Sequence, residues 1–574
     1  MVGKHIGVSI SALLAMATCA ACAAEIEFAS PLPRMRVDGR SVGTSNSESF
    51  AVPGVATTSD ASLGKFVKTL RDAVRADRRK VFVQGRVLTC SINWIRDHIH
   101  QSAAFRHWEY DLTTFLDYIL DTQRQDGQFY EMLLPIDREG HWRNSNPSCY
   151  RLFPDDFLSL VRFETESDIE YLMVEGCERA WRAKGDDAWL KAALPRLEKG
   201  IAYLMSNPSR WDAERGLVKR PYTIDTWDFT FRPDPDSGAD LRKIIPGYTP
   251  MAIMHGDNTG LYAALKSLAG FERRLGRDGQ TKSYEEAASR LRDSVMKHLW
   301  NGTHFIHQLP VDPPQGRDGN ERNRLSMSNA HALNRGILSM DERRAIVGEF
   351  MRRRKTGTAF AEWFTVDPPY EPCFGANGKF PAGQYMNGAI SPVTAGELAR
   401  GAFQCGYEAY GWDILVRLMD LVERDGRLYF LYHPKTREGQ GRGPVGWAAA
   451  AVLNAIDEGL AGIVDLDTGY REIAFSPRWP ATPYAEVRYV TGYEVSDAYV
   501  DCRYVLTDRG MRYRLKSPAA LVRAHLLVPE GRTAADVRIG ARSVPFERAR
   551  VGDSAYIDLV AAPAGGELDV EVIF

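Results

Sequence analysis

Two carboxylates bracket a tryptophan in Tyr222-Thr223-Ile224-Asp225-Thr226-Trp227-Asp228-Phe229, within a loop rich in Pro, Gly and Asp. Cleaving a sugar needs a carboxylic acid that protonates the leaving oxygen and an aromatic face that holds the ring. An acid beside an aromatic wall loses hydration, which raises its pKa and lets it carry a proton near neutrality. Asp228 is therefore the expected general acid, with Trp227 as its wall. Asp225 divides between substrate contact and capping the helix that follows.

A second cluster, Asn93-Trp94-Ile95-Arg96-Asp97-His98, has the same chemistry. Arg96 offers a planar fork to vicinal hydroxyls or to a substrate carboxylate, and Asp97 accepts from two hydroxyls. The competing role for the pair is a salt bridge tying two helices. His255-Gly256-Asp257-Asn258 precedes a helical pattern, where Asp257 or Asn258 is also a good cap. Asn387-Gly388 and Ser391-Pro392 form another such loop, and Trp447 follows a Gly-rich stretch. We take Trp94, Arg96, Asp97, Asp225, Trp227, His255, Asp257, Asn387 and Trp447 as substrate-binding candidates.

These loops need a scaffold that brings them to one place. From residue 62 to about 465 the chain reads as helical hairpins. Apolar residues recur at helical spacing over 168–184 and again over 187–205, with only Gly185-Asp186 between them. Pairs recur at 258–275 with 283–299 and at 392–407 with 408–422, and 447–460 comes near the end. In each complete pair an apolar, small-residue helix precedes a more charged one, as expected if inner helices are buried all round and outer ones on one side. Long aromatic loops favour a closed ring with function at one mouth over an open solenoid. The expected fold is mainly α, an (α/α)6 toroid over 61–466. From about 469 the period changes to alternating short runs, such as 485–490, 500–505, 511–515 and 567–572. That is strand spacing, and it predicts a C-terminal β-sandwich over 467–574.

The 574 residues carry a formal net charge of −2, so no general attraction to nucleic acid or anionic membranes is expected. Lys4 and His5, the apolar run to about Ala20, and Ala21-Cys22-Ala23 read as a signal peptide over 1–23, followed by an arm over 24–60. A secreted or periplasmic protein without a membrane span is expected. No Cys/His cluster suggests a metal, and no phosphate loop, serine elbow or HExxH motif suggests a cofactor. The six cysteines beyond the leader are too scattered for a disulfide framework.

Together the hairpins, loops and trailing strands resemble the six-hairpin glycosidase superfamily. Trp94-Ile95-Arg96-Asp97 resembles the W-x-R-D of glucoamylase-type enzymes, which implies sugar contacts from Arg96 and Asp97. Trp227-Asp228-Phe229 is similar to the W-D-F of trehalases, which implies the general-acid role for Asp228. The 383–392 stretch resembles the N-G-G-x-W-P of several relatives without its Trp, and 475–480 is similar to the sandwich entry of rhamnosidase-like members. The resemblance implies an exo-acting hydrolase of oligo- or polysaccharides that works by inversion. One departure stands out. Where relatives carry a Glu general base before a Tyr-Asp-Pro-like stretch, this chain has Phe430-Leu431-Tyr432-His433-Pro434. Glu438 is the expected substitute, with Glu397 and Glu362 in reserve. The alternatives are a phosphorylase, with phosphate as nucleophile, and a uronate lyase using Arg96, His98, His255 or Arg442.

Overall fold

The computed structural model describes residues 63–227, 232–239, 241–311, 320–374, 380–441 and 443–574, together with the backbone of 22–27, 35–37, 40–42 and 62. Most of the expected leader and arm, Asp228 and Arg442 lie outside the described residues. Thirteen α-helices are described: α1 Ser62–Ala76, α2 Ile95–Phe105, α3 Thr114–Asp121, α4 Glu139–Trp142, α5 Ile169–Lys184, α6 Asp187–Ser206, α7 His255–Arg274, α8 Asp278–Leu299, α9 Ser328–Ala332, α10 Met340–Thr356, α11 Pro392–Gln404, α12 Glu408–Asp425 and α13 Val445–Asn454.

The α5–α6 hairpin shows how the sequence makes its corners. Gly185 closes α5 in the left-handed region at φ 69°, and the Asp186 side chain then accepts from the Trp189 N–H to open α6. Ser391 caps α11 with Pro392 at its first position, and Ser339 and Glu342 form a reciprocal box at α10.

Two kinds of helix result. α13 is buried from Gly446 to Asn454, whereas α8 buries one stripe containing Ala288, Leu291, Val295 and Leu299. The buried helices pack in sequence: α2 on α5, α5 on α7, α7 on α9, α9 on α11, α11 on α13, and α13 back on α2. Their seams are close. A Cβ on Gly396 would lie 2.5 Å from the Ala451 backbone, and one on Gly260 would lie 2.3 Å from the Tyr171 ring. Small residues on these helices are therefore a packing requirement as well as a consequence of burial.

Beyond Ile463 the chain is sheet-rich. A five-stranded sheet contains Ile463–Asp465, Glu472–Phe475, Leu521–Leu527, Ser554–Ala561 and Glu547–Val551. A seven-stranded sheet is built mainly on Tyr484–Tyr493, Ala498–Thr507, Gly510–Lys516 and Glu567–Ile573. Phe475 of the first meets Tyr513 of the second edge to face at 5.5 Å. Cys22–Glu27 pairs in parallel along Tyr484–Tyr493 at the edge of the larger sheet. The stretch expected to be an unpatterned arm thus begins with a strand, because an edge strand supplies backbone partners that its own sequence does not advertise. Arg182 of α5 donates to the carbonyls of Asp465 and Asp467 at 3.1 and 3.0 Å, tying the helices to the sheets.

Candidate active site

The candidate residues gather because the buried helices begin on one side. Trp94, Arg96 and Asp97 start α2, and His255 and Asp257 start α7. Asn387 lies just before α11, and Trp447 is in the first turn of α13. Helix N-termini carry partial positive charge and unpaired N–H groups, so a mouth built from them favours carboxylates. Glu166 and Asp168, just before α5, belong to the same pattern. They were not anticipated, although their signal is the one the other candidates carry, a polar residue just ahead of a buried helix.

Aromatic rings form the centre. Trp227 is 7% exposed, and its indole N–H donates to Tyr385 Oη at 2.9 Å. It lies nearly parallel to Trp447, with centroids 6.3 Å apart. On Trp447 stacks His100, 4.2 Å away and 8° from parallel. Phe430 packs 6.3 Å from Trp227 and 5.9 Å from Trp447. The position where relatives carry a carboxylate therefore holds a buried phenyl ring in this chain.

A buried charge network lies beneath. Arg96 grips Asp168 with two nitrogens, at 2.6 and 2.8 Å, and also pairs with Glu166. This joins α2 to the start of α5, so the competing salt-bridge role of Arg96 is the one its geometry expresses. Arg220, fully buried and not anticipated from sequence, donates to the Trp227 carbonyl at 2.6 Å and reaches Asp257 at 3.3 Å. Burial pushes Asp257 up to about 6 against the pull of Arg220. Asp97, 8% exposed, stands in the first turn of α2. Trp94 is half-buried and meets Phe163 and His141 edge-on, each at 6.1 Å.

Asp225 is a brace. Its backbone is left-handed, at φ 49°. Its carboxylate accepts from the Ser328 N–H at 3.1 Å, from the Ser328 hydroxyl and from the Thr226 N–H at 2.7 Å. Its own N–H donates to His307 Nε2 at 2.8 Å, and His307 Nδ1 meets Glu321 Oε2 at 2.6 Å. Burial alone would raise its pKa. His255 and His307, with the Ser326 and Ser328 hydroxyls, outweigh that and hold it at about 2. The described loop from Asp225 to Trp227 is therefore anchored on α9.

Two further candidates prove to be supports, and a third, Glu438, stands apart. His255 is buried and stacks on Phe305 at 5.2 Å, with Nε2 3.0 Å from Ser326 Oγ. Burial carries its pKa down to about 3. Asn387 is fully buried. Its amide donates to the carbonyls of Tyr370 and Phe380 at 2.9 and 2.8 Å, and its oxygen accepts from the Tyr370 N–H at 2.7 Å. Glu438 is exposed in the 431–440 hairpin, and its carboxylate accepts from Thr436 Oγ1 at 3.0 Å. No described contact joins it to the aromatic rings. Of the reserves, Glu362 is fully buried and bound by Arg417 and Tyr410, while Glu397 stands 3.6 Å from His331. His98 is sealed between Phe105 and Phe115 with its Nδ1 3.3 Å from an Arg78 guanidinium nitrogen, and burial holds it far below its usual pKa.

Among the described residues no cluster of His, Cys, Asp and Glu has the arrangement of a metal site, and no helix is long and apolar enough to cross a membrane. The described cysteines, Cys90, Cys149, Cys177, Cys373, Cys405 and Cys502, are all unbridged.

The stacked indoles and the buried carboxylates lie at the N-terminal ends of the buried helices. Residues 91–448 match the mannosylglycerate hydrolase MGH1-like glycoside hydrolase domain. The chain belongs to that family; it is a glycoside hydrolase and a six-hairpin glycosidase. No curated protein sequence matches it. In fold it is similar to the α-L-rhamnosidase from Dictyoglumus thermophilum (13% identity, TM-score 0.52, 84% of this chain and 46% of that one). It is also similar to the GH78 family rhamnosidase of Bacillus sp. GL1 (14%, 0.52, 82% and 42%). The GH63 mannosylglycerate hydrolase from Thermus thermophilus in complex with glucose aligns at 15% identity and a TM-score of 0.48, over 68% of this chain and 99% of that one. The chain thus spans less than half the length of the two rhamnosidases.

Proposed function

We propose that this protein is an exo-acting, inverting hydrolase that removes a terminal sugar from an oligo- or polysaccharide. The observation that carries the reading is the meeting of the α2, α7 and α13 N-termini with the Trp227 loop around one aromatic centre. Unbroken packing from α2 through α5, α7, α9, α11 and α13 back to α2 supports an (α/α)6 toroid as the catalytic unit over 61–466, with 467–574 as a β-sandwich. Asp228 protonates the glycosidic oxygen, while Trp94, Asp97, Trp227 and Trp447 hold the sugar. Arg96, Asp225, His255, Asp257 and Asn387 act from behind, fixing the groups that touch it. The basic and apolar residues of 1–23 support export to the periplasm or beyond.

Inversion leaves room for a water on the sugar's far face, opposite the acid. The test is an anomer-resolved NMR time course in phosphate-free buffer, with mannosylglycerate, rhamnosides and a panel of oligosaccharides. A free monosaccharide of inverted configuration, absent with Asp228→Asn, is the expected result. Turnover retained by Asp228→Asn removes the assignment. The phenyl ring at 430 also favours a second reading, a phosphorylase, in which turnover appears only when phosphate is added.

A further inference from the structure

Inversion needs a base for the attacking water, and the usual position offers Phe430, which is 1% exposed. Glu362 is consumed by Arg417, and Glu438 is turned toward its own hairpin. A different set of groups lies behind the aromatic centre, one turn further along the buried helices. His100 of α2 stacks on Trp447. His331 of α9 lies 5.6 Å from His100, and Glu397 of α11 places Oε1 3.6 Å from His331 Nδ1. Glu397 is itself fixed by Asn334, whose amide donates to its carboxylate at 2.7 Å and to its backbone carbonyl at 2.9 Å. His331 Nε2 has no hydrogen-bond partner among the described residues. His331 also follows Ser328 by three residues on α9, so the two share a face. Ser328 is the residue that anchors Asp225, three positions before Asp228.

We propose that His331, oriented by Glu397, is the general base of this enzyme and replaces the carboxylate missing at position 430. The proposal rests on the inverting-hydrolase reading. The step balances without a further reagent. The water oxygen bonds to the anomeric carbon as the glycosidic C–O bond breaks, and Asp228 gives its proton to the leaving oxygen. The water's proton passes to His331 Nε2, and the imidazolium is stabilised by Glu397. The groups facing His331 are Glu397 from α11, Asp225 from the loop before α7, Glu175 from α5, His100 from α2, and Arg335 from its own segment. Burial, more than these charges, lowers its pKa, so the imidazole is the free base at neutral pH. The carboxylate of Glu397 also argues against phosphate as the native nucleophile, because a phosphate dianion beside it meets like charge.

The experiment compares Asp228→Asn, His331→Ala, Glu397→Gln and Glu438→Gln on whichever glycoside the wild type hydrolyses, with kcat and KM measured across pH. His331→Ala is expected to lose about 10²- to 10⁴-fold in kcat with little change in KM, and added imidazole is expected to restore part of it. Glu397→Gln is expected to lower kcat and to move the acidic limb of kcat/KM to lower pH, since the histidine loses the charge that favours its protonation. A merely structural role for Glu397 would not move that limb, which keeps the proposal testable if His331→Ala fails to fold. Wild-type kcat in His331→Ala beside a dead Asp228→Asn overturns the assignment, as does an unmoved acidic limb in Glu397→Gln. A loss confined to Glu438→Gln overturns it in favour of the hairpin. Formation of a sugar 1-phosphate only with added phosphate overturns it in favour of phosphorolysis. Full activity in Asp228→Asn is a different failure, that of the underlying reading.

Discussion

Replacing Asp225 with asparagine separates bracing from sugar binding. The carboxylate accepts from the Ser328 N–H and hydroxyl and from the Thr226 N–H, and it is 2% exposed. Burial opposes its ionisation, but His255, His307 and the serine hydroxyls hold its pKa at about 2 against an ordinary 3.8. That difference corresponds to about 2 kcal/mol of folding stability. Losing the charge on an acceptor of several hydrogen bonds gives a similar figure, about 1.5–3 kcal/mol. The pKa is depressed, so the contribution is complete above about pH 4 and is lost as pH falls through about 2. Asp225→Asn should therefore be less stable by about 2 kcal/mol, equally at pH 5 and pH 8, with the gap closing only below about pH 4. Guanidinium unfolding followed by tryptophan fluorescence across that range measures it. Turnover should fall mainly through kcat, because the loop from Asp225 to Trp227, which precedes the proposed acid in sequence, loses its anchor on α9. A variant as stable as wild type, with the loss confined to KM, would refute the bracing argument and return Asp225 to direct sugar contact.

Burial raises Glu131 to about 8 against the opposing charges of Arg162 and Arg96. Its raised pKa contributes stability below about pH 4.5 that is lost as pH rises through 8. Glu131→Gln should therefore gain on the wild type toward pH 9, as read by melting curves taken at pH 6 and pH 9. Trp447→Phe keeps an aromatic ring but shortens the platform shared with His100 and Trp227, and KM for the sugar should rise about tenfold, given the usual value of one ring contact. The described cysteines are unbridged, so a thiol reductant should leave the melting midpoint unchanged.

Much of the helical scaffold was legible because its signals are local. Gly185-Asp186 both ends α5 and starts α6, and Ser391-Pro392 opens α11 where the pattern predicted. The strands over 484–573 announce themselves by alternation. What sequence could not show is which polar groups would be consumed by one another. Arg96 reads as a sugar ligand until Asp168, 72 residues away, is found across its fork. Asn387 reads as a mouth residue until its amide is seen bracing the loop through Tyr370 and Phe380. Arg220 had no local signal, since it lies in a two-residue strand and its role comes from the Trp227 carbonyl and Asp257. His100, His331 and Glu397 lie on three helices and meet only when those helices pack side by side.

The way these charges are spent bears on how the site works. A buried guanidinium costs several kcal/mol unless its donors are met; Arg96 is met by Asp168 and Glu166, and the two terminal nitrogens of Arg220 by Asp257 and the Trp227 carbonyl. Such groups cannot turn to a sugar without exposing a buried partner, so their contribution is to hold α2, α5, α7 and the Trp227 loop in one arrangement before substrate arrives. A site fixed in that way does not reorganise during the reaction, which is how oriented dipoles and charges lower a barrier. Under the proposed function the sugar is then met by Trp94, Asp97, Trp227 and Trp447, and the attacking water by His331. On this reasoning the phenyl ring at 430 is consistent with activity. It completes the aromatic wall, and in the proposed mechanism base chemistry passes to His331, which stands beside Glu397.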